Sequence, residues 1–209
     1  MIVISKDIIY TKGNFSYKNF ISLTEEEKLT VLDWRNHENI RKWMYNQDVI
    51  EEDSHFAFIK SLEKRQDCFY WLVFREKTPI GVFSITDIDY QVSQASSGFY
   101  IDPYHEKAGN GFEFIHTYTR LMFDFKVKRI YVGILSSNQY VLLINLFIET
   151  IFETEKCVNG QKYLYGTLTK ENYFNDIDKK ESMREFAKFV RNYMTKSDEN
   201  INSIINIKK

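Results

Sequence analysis

The chain has 209 residues, with 28 basic against 29 acidic side chains, a net charge of −1 and an apolar fraction of 44%. That balance excludes the basic stripe a nucleic-acid partner demands, and the apolar share is enough for the core of one domain with an appended terminal element. No stretch reaches the ~18 uncharged apolar residues of a membrane span, so no membrane partner is expected, and the apolar start Met1-Ile2-Val3-Ile4 meets Lys6 and Asp7 too soon to be a signal segment. The two cysteines, Cys68 and Cys157, form no Cys-x-x-Cys pair. A single disulfide stays open, but no metal is expected, and a reduced cytoplasmic setting is the simpler reading.

Taken in chain order, Thr24-Glu25-Glu26-Glu27 reads as a capping box that opens a helix through Leu29 and Leu32. A short helical piece follows over about Glu38–Tyr45. Another runs over Glu51–Lys64, with Phe56, Ile59 and Leu62 on one face. The texture then turns to strand: Phe69–Phe74, a turn at Lys77-Thr78-Pro79, Ile80–Thr86, then Ser97–Ile101 stopped by Asp102-Pro103. A glycine-bearing loop leads into a helix over Phe112–Phe125, a strand over Arg129–Leu135 and an apolar helix over Tyr140–Phe152. Asn159-Gly160 is a hairpin signal, and Tyr163–Leu168 a last strand. From Asp176 the chain turns polar, while Met183, Phe186, Val190 and Met194 keep helical spacing. Three meander strands followed by helix, strand, helix and strand predict an α/β (α+β) fold, a mixed sheet with helices on both faces. The amphipathic terminal helix docks either on its own domain or on a second copy, as in a homodimer. Aromatics, at 16% of the chain, suit both a core and a ligand wall.

The chemistry-bearing stretch is Glu106-Lys107-Ala108-Gly109-Asn110-Gly111, between a strand and a helix. Glycines let a backbone approach a ligand closely. The unpaired amides of a helix start, with the helix dipole, bind anions such as a pyrophosphate. Gly-x-Gly alone is a weak signal, compatible with an ordinary tight turn. It lacks the Lys-Ser/Thr of a phosphate-binding loop and the third Gly of a dinucleotide site.

In this setting the loop resembles that of the GNAT acetyltransferase superfamily, whose pattern Gln/Arg-x-x-Gly-x-Gly/Ala is met at every position except Glu106. The resemblance implies a largely antiparallel GNAT sheet flanked by helices over residues 1–175, with a C-terminal helical extension over 176–209. It implies acetyl-CoA, or another acyl-CoA, as co-substrate. Lys107, Gly109, Asn110 and Gly111 would take its pyrophosphate, Phe99, Tyr100 and Ile101 its pantetheine arm, and Asn138 would contact it from the start of the late helix. A closer likeness over about Asn14–Thr169 is to the sugar-nucleotide N-acetyltransferases of pseudaminic acid synthesis. It is carried by Tyr17-Lys18-Asn19, Arg35-Asn36-His37, Trp43-Met44-Tyr45, His55 with Phe58-Ile59, and Gly81 with Ser84-Ile85-Thr86. It implies that Arg35, Met44, Tyr45, His55, Phe58 and Thr86 line the site of a nucleotide-linked amino sugar.

The residue types agree with that implication. Arg offers a planar fork to phosphate oxygens, though Arg35 equally suits a helix-end salt bridge. Aromatic rings stack on a base, and His55 could bind phosphate or act as base. Asp87, Ser84 and Thr86 are weaker candidates for the base, and His37 reads better as a cap. The sequence departs from the superfamily in its catalytic half. Asn145 stands where a Tyr commonly protonates the departing thiolate, Gly133 where the relatives carry Glu, and Val141 where a small residue is usual. Tyr100 or Tyr140 could supply the acid. Three activities follow: acyl transfer to a nucleotide-linked amino sugar, binding of that sugar without turnover, or acyl transfer to a protein N-terminus or small amine.

Overall fold

The structure is a computed structural model that describes residues 1–104 and 110–196; the side chains of 110 and 194–196 lie outside the description. The chain forms two compact units, Met1–Val127 and Lys128–Lys209. The boundary expected at residue 175 falls inside the second.

In the first unit five strands run antiparallel in chain order: β1 (Tyr10–Lys12), β2 (Phe15–Asn19), β3 (Phe69–Arg75), β4 (Thr78–Asp89) and β5 (Gln94–Ile101). The helices are α1 (Glu25–Asn36), α2 (Glu38–Arg41), α3 (Glu52–Ser61) and α4 (Asn110–Asp124). The sequence reading assigned no strand before Phe69. β1 and β2 are short, and Thr11-Lys12 and Lys18-Asn19 break any alternation, so their apolar period is seen only once Phe15 and Tyr17 are found buried.

Strand alternation sends successive side chains to opposite faces, and here it separates two cores. On the α4 side Trp71 is fully buried, stacked with Phe69, Phe83 and Phe125 at centroid separations of 5.9, 5.4 and 6.0 Å. Tyr118 of α4 stacks on Phe83 at 4.7 Å, and Phe99 packs on Phe114 and Tyr118. On the α1 and α3 side, Leu72 and Val82 pack with Phe20, Val31, Trp34, Ile59 and Leu62, bordered by half-buried Phe58, Tyr70 and Tyr100. The capping box of α1 forms as expected: Thr24 Oγ1 accepts from Glu27 N at 3.2 Å, and Glu27 Oε2 accepts from Thr24 N at 2.7 Å.

In the second unit β6 (Arg129–Leu135), β8 (Gln161–Thr169) and β7 (Ile151–Val158) form an antiparallel sheet in that order, with α5 (Gln139–Phe147), α6 (Lys170–Phe174), α7 (Ile177–Lys180) and α8 (Met183–Lys196). The apolar run expected to stay helical to Phe152 ends at Phe147. Glu149 adopts a left-handed φ of 68° and Thr150 donates its hydroxyl to Asn145 Oδ1, so the chain turns into a strand. A non-glycine residue in that conformation gives no sequence signal. Asn159-Gly160 makes the expected hairpin, with φ of 51° and 76°. In α8, Phe186 is buried and packs on Phe147 and Tyr140 of α5 at 5.3 and 6.2 Å, whereas Met183 is exposed. The terminal helix thus docks on its own chain. Lys180 is buried and pairs with Glu149 Oε2 at 2.9 Å while donating to Asn172 O.

Candidate acceptor site

Arg35 ends α1 on the side of the sheet that also carries Tyr100, and its guanidinium lies close enough to favour the Tyr100 phenolate. Nη2 donates to Asn46 O at 2.7 Å, while Nη1 is buried with no hydrogen-bond partner among the described residues. Burial lowers the Arg35 pKa; nearby Tyr100 opposes that shift and Arg41 adds to it. Among the described residues Arg35 makes no salt bridge, and its bond goes to a carbonyl. A desolvated cation with an unmet N–H is costly unless an anion reaches it.

Arg41 was not singled out from the sequence. It donates from Nε to Asn36 O at 2.9 Å and from Nη1 to Gln47 O at 2.7 Å. Asn36 Nδ2 donates to Ile50 O at 2.9 Å, and Ile50 N returns a bond to Asn36 Oδ1 at 2.8 Å. Arg35, Asn36 and Arg41 together hold the loop between α2 and α3, which carries Met44, half-buried, and Tyr45, exposed. His37 caps α2, accepting from Asn39 N at 3.2 Å, as its position suggested.

His55 lies on α3 and is buried. Its Nε2 is 3.0 Å from Lys28 O. A carbonyl only accepts, so Nε2 carries the proton, and burial lowers the pKa of the ring despite that bond. The ring is thus neutral at pH 7 and joins α3 to α1. One turn further on, Phe58 meets Tyr70 edge to face at 5.2 Å, and Phe20 covers Tyr70 from another side at 5.6 Å. Burial raises the phenol pKa of Tyr70 to about 12 and that of Tyr100 further still.

The register shows what lies between these rings. Tyr70 faces Ser84, which faces Gly98; Leu72 faces Val82, which faces Tyr100; Thr86 faces Ser96. Tyr70, Ser84, Thr86, Ser96, Gly98 and Tyr100 therefore share one face, with small and hydroxyl-bearing residues beside aromatic ones. Gly98 cannot be enlarged without meeting Ser84, since a Cβ there would lie 2.8 Å from Ser84 Oγ. Tyr70 and Gly98 escaped the sequence reading, because a strand residue's neighbours depend on register. The structure brings Arg35, Phe58 and Tyr100 to one neighbourhood and places Thr86 further along the same face.

The residues expected to hold the donor divide differently. Lys107 and Gly109 lie outside the described residues, as does the Asn110 side chain. α4 opens at Asn110 with Gly111 half-buried, so its first turn offers amides that have no acceptor within the helix. Phe99 turns to the α4 side, and the backbones of Phe99, Tyr100 and Ile101 pair with Phe83, Val82 and Gly81. In the second unit Asn138 caps α5, accepting from Val141 N at 3.4 Å. Asn145 is buried; its Nδ2 donates to Val141 O at 2.9 Å and its Oδ1 accepts from Thr150 at 3.1 Å. Tyr140 is exposed along one side and meets Phe186 on the other. Among the described residues no group of three or more His, Cys, Asp or Glu could hold a metal ion, and no helix is long and apolar enough to cross a membrane.

The acetyltransferase (GNAT) domain family matches residues 20–142, and the chain belongs to it. Among characterised proteins, the acetyltransferase PseH of Campylobacter jejuni (strain 81-176) is 31% identical over 86 residues, which is 41% of this chain and 53% of that protein. The chain spans about half the length of the curated relatives it matches. The crystal structure of the C. jejuni N-acetyltransferase PseH with acetyl coenzyme A shares the fold at a TM-score of 0.59 and 21% identity, covering 75% of this chain and 99% of that one. The spermidine N-acetyltransferase of Vibrio cholerae, bound to CoA and spermine, shares it at a TM-score of 0.69 and 16% identity, covering 78% and 99%.

Proposed function

We propose that the chain is an acetyl-CoA-dependent N-acetyltransferase whose acceptor is the amino group of a nucleotide-linked sugar, of the 4-amino-4,6-dideoxy-N-acetylhexosamine type used in surface-glycan or pseudaminic acid synthesis. The observation that carries this reading is Arg35, a half-buried cation whose buried Nη1 has no partner among the described residues, beside the aromatic group Phe58, Tyr70 and Tyr100. A diphosphate satisfies the guanidinium fork. A flat base matches the exposed ring of Tyr45 and the edge of Phe58. Ser84, Thr86 and Ser96 offer hydroxyls to a hexose, and Gly98 leaves room for it. Acetyl-CoA, when bound, supplies the activated acyl group; the first-turn amides of α4 suit its pyrophosphate.

The second reading, binding without turnover, draws on Asn145. Its amide is engaged at both ends and has no acidic proton to give. A thiol of pKa ~8.5 leaves tolerably without protonation, so the enzymatic reading stands without that acid. The test is release of free CoA from acetyl-CoA in the presence of UDP-2-acetamido-4-amino-2,4,6-trideoxyhexose, with spermidine as the competing acceptor. Sugar-dependent release is expected. Release with spermidine alone would overturn the acceptor assignment, and tight UDP-sugar binding without release would favour the second reading.

A further inference from the structure

β4 does not keep its register to the end. Its pairing with β5 slips between Thr86 and Asp89, and Asp87 lies in the left-handed region with φ of 50°. In a regular strand residue 87 would leave on the side opposite Thr86. The bulge turns it back, as bulges do when they re-aim a side chain: the Thr86 hydroxyl donates to Asp87 Oδ2 at 3.0 Å. The carboxylate also lies near enough to Tyr70 and Cys68 to oppose their ionisation, behind the larger effect of burial. Cys68, just before β3, and Tyr70 of β3 pack on the side of the sheet that carries Leu72. Asp87 is exposed. The neighbouring cation, Arg65, is taken by Asp67 through bonds of 2.9 and 2.6 Å. Among the described residues Asp87 is thus left with a hydroxyl for a partner.

One face of the sheet therefore carries opposite charges at its two ends. Arg35 lies by Tyr100, which faces Val82, and Asp87 follows Thr86. Thr86 lies four positions along β4 from Val82, about 13 Å along a strand. Tyr70, Ser84 and Gly98 lie between. A neutral sugar would meet the carboxylate only through hydroxyl donors, without the ionic gain of an amine, and a polyamine would be repelled by Arg35. A molecule with an anion at one end and a primary amine at the other complements both.

We propose that Asp87 receives the acceptor's amino group as its ammonium form and, with Arg35, fixes the direction in which the acceptor lies along β4. The inference rests on the acceptor reading above and narrows it to acceptors that carry both an anion and an amine.

Asp87→Asn is the decisive variant. Asn tolerates the left-handed region as Asp does and can still accept the Thr86 hydroxyl, so only the charge is lost; Asp87→Glu restores it. Calorimetry at pH 7 would compare UDP-2-acetamido-4-amino-2,4,6-trideoxyhexose with UDP-N-acetylglucosamine. The wild type is expected to prefer the amino sugar by about 10- to 100-fold, the span of a hydrogen bond to a charged group. Asp87→Asn is expected to erase that preference while binding UDP-N-acetylglucosamine within twofold of wild type, and Asp87→Glu to recover part of it. A preference that survives Asp87→Asn, or a wild type that binds both ligands equally and still releases CoA, overturns the role of Asp87 and leaves the proposed function intact. A wild type that binds neither ligand overturns both.

Discussion

The two faces of the first unit's sheet are built from the same strands and to opposite ends. On the α4 face Trp71, Phe69, Phe83, Phe99 and Tyr118 pack ring on ring. On the α1 and α3 face the aliphatic core of Leu72, Val82 and Ile59 gives way to half-buried phenols, small residues and an arginine with an unmet N–H. Alternation along β3, β4 and β5 lets one segment serve both purposes. Phe99 completes a core while the adjacent Tyr100 borders the candidate site. The difference teaches that stability and recognition here are divided by residue parity more than by segment.

That division can be broken most forcefully at Trp71. Trp71→Ala removes a fully buried indole and is expected to cost about 3–5 kcal/mol in urea unfolding. The fraction that stays folded is expected to bind UDP as before, and a loss of affinity in that fraction would show that the faces are not separable. Arg35→Ala is expected to do the reverse. UDP affinity should fall by about 1.5–3 kcal/mol in calorimetry. Unfolding of the ligand-free protein should shift by less than ~1 kcal/mol, because the cost of a half-buried cation with an unmet N–H goes as its bond to Asn46 is lost. A large fall in stability with unchanged UDP binding would make Arg35 a structural residue. The smallest effect belongs to Thr24→Ala, which uncaps the helix that carries Arg35. About 1 kcal/mol of stability should be lost, with UDP affinity within twofold of wild type; a larger binding loss would mean that the whole of α1, and not Arg35 alone, shapes the site.

Local signals made much of this architecture legible. Thr24 and Glu27 announced the start of α1, Asn159-Gly160 its hairpin, and Arg129–Leu135 a strand with the bounds it has. The α/β class and the GNAT fold were read correctly from the order of elements and the glycine loop. What escaped depended on tertiary context. β1 and β2 are too short and polar to show a period. The start of β7, Ile151 and Phe152, was read into the preceding helix and the rest of the strand left unassigned, because the left-handed Glu149 is not a glycine. Within the candidate site Arg35 and Phe58 were visible through a motif and Asp87 only as a weaker candidate base, whereas Tyr70 and Gly98 depend on register and the orientation of Asp87 on a bulge, which no single-strand pattern encodes.

The loop between α2 and α3 has a consequence of another kind. Arg35, Asn36 and Arg41 hold it by gripping the peptide groups of Asn46, Gln47 and Ile50. None of those anchors depends on what the loop's side chains are. The side chains of Asn46 and Gln47 also brace the loop, accepting from Asp48 N and donating to Lys42 O, so Met44, which carries none of these bonds, is where a descendant of the same framework could drift towards a different base or sugar at little cost to its folding.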